Sequence, residues 1–218
     1  MIKPTNYTAK QLAGMFDGLW SDTSTMRNHH QEVNDYICPS FSDVTQINET
    51  PGRKKGLDRY TGIGEYCLNK LSRAMHGSLT SSAAQWFSIK LKNKELMQNK
   101  AIKNWFAESS QIMFDQMMAS NFPNEVMKMY KACAGYGTGT IACDPYIDKR
   151  TQKFEKLKYS SWASREFAFA EGADELPTII FRKHRMTPAT AMDRFKDHPR
   201  FKGLSPRAQR AYDKADTR

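Results

Sequence analysis

The stretch Leu71–Leu91, LSRAMHGSLTSSAAQWFSIKL, decides how the middle of this 218-residue chain folds. Its first part has the apolar spacing of an amphipathic helix, and we expect that helix to end at Gly77, because glycine readily takes the left-handed conformation of a helix terminus. Small polar residues follow and predict a turn. Phe87, Ile89 and Leu91 then alternate with polar residues. This alternation predicts a half-buried strand that begins at Trp86.

Helices are predicted on both sides of this stretch. Apolar residues at helical spacing predict a long helix over residues 8–37, a second over 57–76 and a third over 94–119. Pro123 is typical of a first helical turn and predicts a fourth helix over residues 123–134. We expect the second helix to turn five residues inward: Ile63, Tyr66, Cys67, Leu71 and Ala74.

Short extended runs replace the helices in the last third of the chain. Residues 138–143, 154–159, 166–170 and 178–185 predict a small, mainly antiparallel sheet. Asp144-Pro145 predicts a turn, residues 171–174 a hairpin tip, and Thr187-Pro188 the start of a last helix. The predicted fold class is therefore α+β, with long amphipathic helices packed on a small sheet.

Three parts are expected along the chain. Residues 1–56 form an N-terminal helix and a surface loop, residues 57–137 a helical region, and residues 138–218 the small sheet with terminal helices. The net charge of +10 is unevenly spread, because residues 182–218 hold eleven basic and four acidic groups while residues 1–52 hold three basic and six acidic groups. A basic end is typical of a polyanion partner, although a solvated basic surface explains the charge equally well.

No motif in the chain predicts catalysis or cofactor binding. The glycine-rich run 134–139 follows a helix and lacks the Gly-Lys-Ser/Thr of a phosphate-binding loop, so it favours a tight helix-to-strand turn with positive φ. His29 and His30 would point about 100° apart on a helix, which makes them a poor metal pair. The four cysteines form no CxxC pair and favour buried, reduced thiols. We therefore expect no enzyme, no cofactor and no metal site, and no apolar run predicts a membrane helix or signal peptide.

Four short matches in sequence order carry a family resemblance. Leu79-Thr80-Ser81 with Trp86-Phe87 comes first, followed by Ser120-Asn121-Phe122, then residues 136–139, then residues 181–187. Together they cover residues 59–195 and resemble the N-terminal portion of the portal, or head-to-tail connector, proteins of short-tailed, T7-like bacteriophages. The family often has proline where Ala83 or Ala84 stands, so the turn here is expected to be looser.

The resemblance implies a structural role. Such proteins form a dodecameric ring at one capsid vertex, through which double-stranded DNA is packaged and ejected, and they join head to tail. The matched portion builds mostly the wing, so the resemblance implies a wing-like region of a chain that is incomplete at its C-terminal end. The implied partners are copies of the chain itself, DNA bound without sequence specificity, capsid and tail or adaptor proteins, and, through regions absent here, a terminase. No membrane is implied, and the implied location is the virion after assembly in the host cytoplasm.

Two groups of candidate functional residues follow from this resemblance. The aromatic group anchors either the core or a contact between subunits, and both interpretations stay open for Trp86, Phe87, Trp105 and Phe122. The basic group is expected near DNA and consists of Arg53, Lys54, Lys55, Arg59, Arg182, Lys183 and Arg185. The alternative function is a stand-alone basic protein that binds nucleic acid without sequence specificity, while a nuclease lacks a candidate carboxylate cluster.

Overall fold

The computed structural model of the chain describes residues 7–39, 41, 43–45, 52, 54–55, 59–93, 95–148, 153–174, 176–184, 186–195, 203 and 205–210. Contacts divide the chain into two compact units, residues 1–181 and residues 182–218. The predicted α+β class is confirmed, since helices dominate and the strands form small sheets. The predicted division into three parts at residues 56 and 137 stays a prediction.

Two helices stand where one long helix was predicted at the N-terminal end. α1 spans Ala9–Asp22 and α2 spans Ser24–Tyr36. They are separated at Thr23, whose Oγ1 donates to the carbonyl of Leu19 at 2.8 Å. Threonine side chains that bond to the preceding turn bend or interrupt helices, and the apolar spacing alone does not reveal this. α1 begins at a capping box formed by Thr8 and Gln11.

The third helix runs past the glycine that was expected to end it. α3 spans Ile63–Leu79, and Gly77 is an ordinary helical residue within it. The helix ends at Thr80, whose N–H donates to the carbonyl of His76 at 3.1 Å and whose Oγ1 is hydrogen-bonded to His76 Nδ1 at 2.9 Å. The prediction at Gly77 was wrong, because the helix continues through the glycine and ends at Thr80.

Two more helices form the centre of the first unit. α4 spans Lys100–Ala119 and begins later than predicted, because a 3₁₀ turn (Leu96–Gln98) precedes it and Asn99 caps it by accepting from Ala101 N–H at 2.9 Å. α5 spans Phe122–Tyr136. It ends at Gly137, whose φ of +77° confirms the predicted glycine turn.

The strands form two two-stranded sheets instead of the single small sheet that was predicted. β1 (Thr140–Ile147) pairs antiparallel with β2 (Phe154–Trp162), from Thr140 opposite Trp162 to Ile147 opposite Phe154. A second hairpin joins β3 (Phe167–Glu171) to β4 (Pro177–Arg182). Its predicted tip is confirmed, because Gly172 N–H donates to the carbonyl of Leu176 at 2.9 Å.

The predicted turn at Asp144-Pro145 was wrong, because both residues lie inside β1. A proline has no N–H to donate, yet a strand paired on one side only has room for it. The aspartate–proline pair therefore lies within a strand that is paired with β2, and not in a turn.

The core of the first unit is built around α5. Phe122, Val126 and Tyr130 of this helix are buried together with Tyr159 of β2. The partly buried methionines around them come from α3, α4 and α5 itself: Met75, Met117, Met118 and Met129. Met113 of α4, by contrast, is half exposed.

The second unit contains the last predicted helix. α6 spans Pro188–Phe195, and the predicted Thr187 cap is confirmed by the bond from Thr190 N–H to Thr187 Oγ1 at 3.3 Å. Ser205 caps a helical turn over residues 206–210 in the same way. Across the described ranges, no helix is both long and apolar enough to cross a membrane.

Candidate functional site

The segment after α3 is extended but is not a strand. Residues 85–91 pair with no neighbouring strand, and instead Ile89 N–H donates to Ser110 Oγ of α4 at 2.9 Å. The same hydroxyl donates to the carbonyl of Phe106 at 2.7 Å. The predicted strand at Trp86–Leu91 was therefore wrong, because a helix side chain takes the hydrogen bond that a sheet would have provided.

This extended segment brings two of the candidate aromatic residues against the core. The ring of Trp86 lies 6.3 Å from that of Phe122 and 5.0 Å from that of Phe87, centroid to centroid. Phe87 in turn lies 6.4 Å from Phe114 of α4. Phe122 is 6% exposed and belongs to the core, whereas Trp86 is 41% exposed and sits at its edge. Trp86 thus has one side on the core and part of its surface open to another molecule.

Trp105 occupies a different environment from the other three aromatic residues. It lies on the outward side of α4 with 61% of its surface exposed, and its described ring contact is the edge of Phe106 at 4.9 Å. A large exposed aromatic side chain is typical of a binding surface. Whether any of the four aromatic residues contacts another subunit remains a prediction.

Sequence reasoning missed an apolar surface on α3. The residues expected to face inward are exposed on its outer side, including Ile63 at 68%, Tyr66 at 65% and Leu71 at 52%, and Cys67 and Ala74 are exposed as well. The buried side of the helix instead carries Leu68 and Ser72. The apolar spacing was the right signal, but spacing alone does not distinguish a face that packs within the chain from one that is open at its surface.

The basic candidates of the first unit differ in how they are held. Lys54 is exposed. Lys55 is partly buried, with its Nζ 3.5 Å from an Asp43 carboxylate oxygen and 3.0 Å from the carbonyl of Phe41. Arg59 is held by Glu65 at 2.6 Å. Two of these three cations are therefore already used inside the chain, which weakens their attraction for an external phosphate.

Two of the remaining basic candidates, Arg182 and Lys183, lie in the second unit. Arg182 ends β4 and is partly buried, and Lys183 follows it and is exposed. Arg53 and Arg185 lie outside the described residues. Lys54 and Lys55 are neighbours in the chain, as are Arg182 and Lys183, and no other grouping of the basic candidates is seen among the described residues. A role of these groups near DNA remains a prediction.

Buried polar contacts hold α2 against the rest of the first unit. His30 is buried, with Nδ1 hydrogen-bonded to Ser164 Oγ at 2.8 Å and its ring stacked on Tyr136 at 4.9 Å. Burial lowers the pKa of His30, the nearby charge of His29 lowers it further, and a hydrogen bond with the Tyr136 backbone opposes both. A neutral, structurally held imidazole is the result, whereas the side chain of His29 is exposed.

The thiols are free, but they are not all buried as predicted. Cys38 is fully buried, and burial raises its pKa to about 11, so its thiolate is unavailable at neutral pH. Cys67 and Cys143 are exposed. No group of three or more metal-ligating side chains occurs among the residues that the structure describes.

A cavity of about 480 Å³ lies beside α5 and was not foreseen from the sequence. Its wall is largely apolar and carries two lysines, Lys128 and Lys131. Lys128 is held by Glu125 at 2.7 Å, and Lys131 lies 5.0 Å from the ring centroid of Phe41. The volume lies in the range of small-molecule sites, but the lysines already have partners inside the chain.

Two comparisons with known proteins indicate the family to which the chain is related. A sequence model of the family described as bacteriophage head to tail connecting protein matches residues 9–217. A protein of Bordetella phage BPP-1, named as a probable portal protein, is 23% identical over 186 residues, which cover 85% of this chain and 32% of the relative. The chain therefore spans about a third of the length of that relative.

Proposed function

The chain belongs to the family of bacteriophage head-to-tail connecting proteins, and from that membership we propose that it is a structural subunit of a phage portal, set in a ring at one capsid vertex. The match over residues 9–217 is the observation that carries this proposal. A dodecameric ring of the short-tailed, T7-like type is the specific form that we propose. The virion is then its location, after assembly in the host cytoplasm.

The exposed apolar helices support a role in assembly. Ile63 and Tyr66 on α3 and Trp105 and Ile112 on α4 are all more than half exposed. Large apolar side chains grouped on a surface are typical of protein contacts. A subunit that lies between two copies of itself needs two such surfaces, because each neighbour covers a different side.

The charge supports a DNA conduit. A net charge of +10 attracts the phosphate backbone, and scattered lysines and arginines contact phosphates without reading bases. Tight or base-specific contacts would slow DNA that must slide through the channel in both directions. We therefore propose sequence-independent contact with double-stranded DNA. Capsid, tail or adaptor proteins and a terminase are the other proposed partners.

A passive structural role also fits the chemistry of the described residues. The buried thiol of Cys38 has a raised pKa, and the buried His30 has a lowered one. Neither is arranged as an activated nucleophile or base beside a reacting site. We propose that the chain supplies shape and charge, while separate proteins supply the energy for DNA movement.

Electron microscopy tests this proposal directly. Phage particles carrying an epitope tag on this protein are labelled with an antibody fragment and imaged, and the purified protein is imaged by negative stain. The proposal predicts label at a single vertex and rings with a central hole. Label spread over the capsid would overturn it. A monomer or dimer that binds DNA but is absent from the particle would favour the alternative, a stand-alone basic nucleic-acid-binding protein.

A further inference from the structure

The outer side of α3 carries a regular mixed surface. Ile63, Tyr66, Lys70 and Arg73 follow one another at spacings of three, four and three residues, so they lie along one side of the helix. All four are exposed, and they lie opposite the buried Leu68. This set of four residues is called the α3 outer face. It combines two large apolar side chains with two positive charges.

The outer side of α4 repeats the same spacing with the opposite charge. Trp105, Glu108, Ile112 and Asp115 are all exposed and lie opposite the buried Ser110 of the same helix. This set is called the α4 outer face. It again combines two large apolar side chains with two charges, here both negative. The two faces are thus matched in length, in apolar content and in charge.

The charges of the two faces are available for an external partner. Within the described part of the chain, no acidic side chain forms an ion pair with Lys70 or Arg73, and no basic one does so with Glu108. Asp115 accepts a hydrogen bond from the Gln111 amide at 2.9 Å, which leaves its charge uncompensated. Apolar surface beside uncompensated charge favours a partner of opposite charge over a plain apolar one.

The two faces cannot satisfy each other within one copy. Both helices turn their inner sides toward α5, where Met75 of α3 and Met117 of α4 pack on the core cluster around Phe122. The outer faces therefore point away from α5. At 17 and 20 residues the helices are about 25 and 30 Å long, so two such faces from different copies can pack along most of their length.

We propose that copies of this chain associate by packing the α3 outer face of one copy against the α4 outer face of the next. The contact joins two different surfaces, so it repeats from copy to copy and either closes into a ring or continues as a filament. Closure into a ring rests on the function proposed above, whereas the pairing of the two faces rests on their residues alone. Lys70 and Arg73 meet Glu108 and Asp115 across this contact.

Charge reversal on each face tests the pairing. In one variant, Lys70→Glu with Arg73→Glu makes both faces negative, and in the other, Glu108→Lys with Asp115→Lys makes both positive. Each variant alone should associate roughly tenfold or more weakly than the natural chain in sedimentation velocity at low salt. An equimolar mixture should regain association, because every face then has a partner of opposite charge. A chain that carries all four changes should also regain it.

The pairing would be overturned by a natural chain that stays monomeric, by single-face variants that associate normally, or by a mixture that does not recover association. If the Lys70→Glu, Arg73→Glu variant associates normally but loses DNA binding, the α3 outer face is assigned to DNA instead. The control variant, Lys153→Glu with Lys158→Glu, changes exposed lysines on and beside β2 by the same total charge and should associate normally. Circular dichroism confirms that each variant is folded.

Failure of the pairing can be told apart from failure of the proposed function. Rings at the capsid vertex together with unaffected charge-reversal variants would keep the portal function and discard this contact. Recovery of association in the mixture without vertex label in particles would keep the contact and discard the portal function.

Discussion

At the scale of single residues, the candidate aromatic residues separate into core and surface. Phe122 is 6% exposed and its ring centroid lies 5.0 Å from that of Tyr159, whereas Trp105 is 61% exposed. We expect Phe122→Ala to lower the free energy of unfolding by about 3–5 kcal/mol through the cavity it leaves. Trp105→Ala should change it by less than about 0.5 kcal/mol. Urea denaturation followed by circular dichroism measures both, and equal losses would contradict this division.

His30 should make stability depend on pH. Its folded pKa lies below its ordinary value because of burial. The unfolded chain therefore binds the proton more readily, and the stability present above about pH 6.5 falls as the pH drops through that value toward the folded pKa. We expect a lower melting temperature at pH 5.5 than at pH 7.5, and a smaller difference in the His30→Gln variant.

A matched histidine controls for general acid effects on this pH dependence. His184 is exposed and lies in the second unit, so His184→Gln should leave the difference between the two melting temperatures unchanged. If His30→Gln also left it unchanged, the pH dependence would have another origin.

At the scale of elements, Gly77 provides a test of where α3 ends. The glycine is helical, and a Cβ added to it would meet no atom within 4 Å. Gly77→Ala should therefore stabilise the protein by up to about 1 kcal/mol, because alanine is the better helix former. A left-handed cap at this position, as the sequence predicted, would make the same change destabilising. Chemical denaturation decides between the two signs.

Gly139 is the contrasting case at the start of the first hairpin. A Cβ there would lie 2.6 Å from both the Met129 carbonyl oxygen and Cys133 Sγ. The backbone of α5 cannot move away cheaply, so we expect Gly139→Ala to destabilise the protein by about 1–3 kcal/mol through overpacking. The measurement is the same as for Gly77, and a neutral result at Gly139 would show that the turn can open.

The kinds of element were largely predictable because periodicity and turn chemistry act locally. The caps at Gly137 and Thr187 and the hairpin tip at Gly172 were all found where the sequence placed them. The predictions that were wrong depended on interactions that local sequence patterns do not reveal. Some of these interactions join residues that are far apart in the sequence. Ser110 takes the bond of the extended segment at Ile89, for example, 21 residues away.

The inner and outer sides of α3 could not be separated from the sequence for a related reason. Apolar spacing marked Ile63, Tyr66 and Leu71, but it does not say whether the covering surface belongs to the same chain. A helix that packs on both sides has apolar residues on both. The apolar residues of this α3 surface were therefore predictable from the sequence. Their exposure was not, because it depends on α5 covering the opposite side of the helix.

At the scale of the whole molecule, the charge distribution determines how DNA should bind. Lys54 is exposed, whereas Lys55 and Arg59 already hold acidic partners. We expect equal affinity, within about twofold, for two unrelated duplexes, because phosphate contacts carry no sequence information. The logarithm of affinity should fall linearly with the logarithm of salt concentration, with a slope near −0.9 for each phosphate contact.

Replacing one exposed lysine sharpens this DNA test. Lys54→Ala should make the salt slope shallower by about 0.9 and weaken binding to both duplexes by the same factor. Arg59→Ala should have the smaller effect on the slope, because Glu65 already competes with phosphate for that guanidinium at 2.6 Å. Fluorescence anisotropy at four salt concentrations provides the measurement. A tenfold preference for one duplex would mean that bases are read, and a protein that reads bases would hold passing DNA at preferred positions instead of letting it slide.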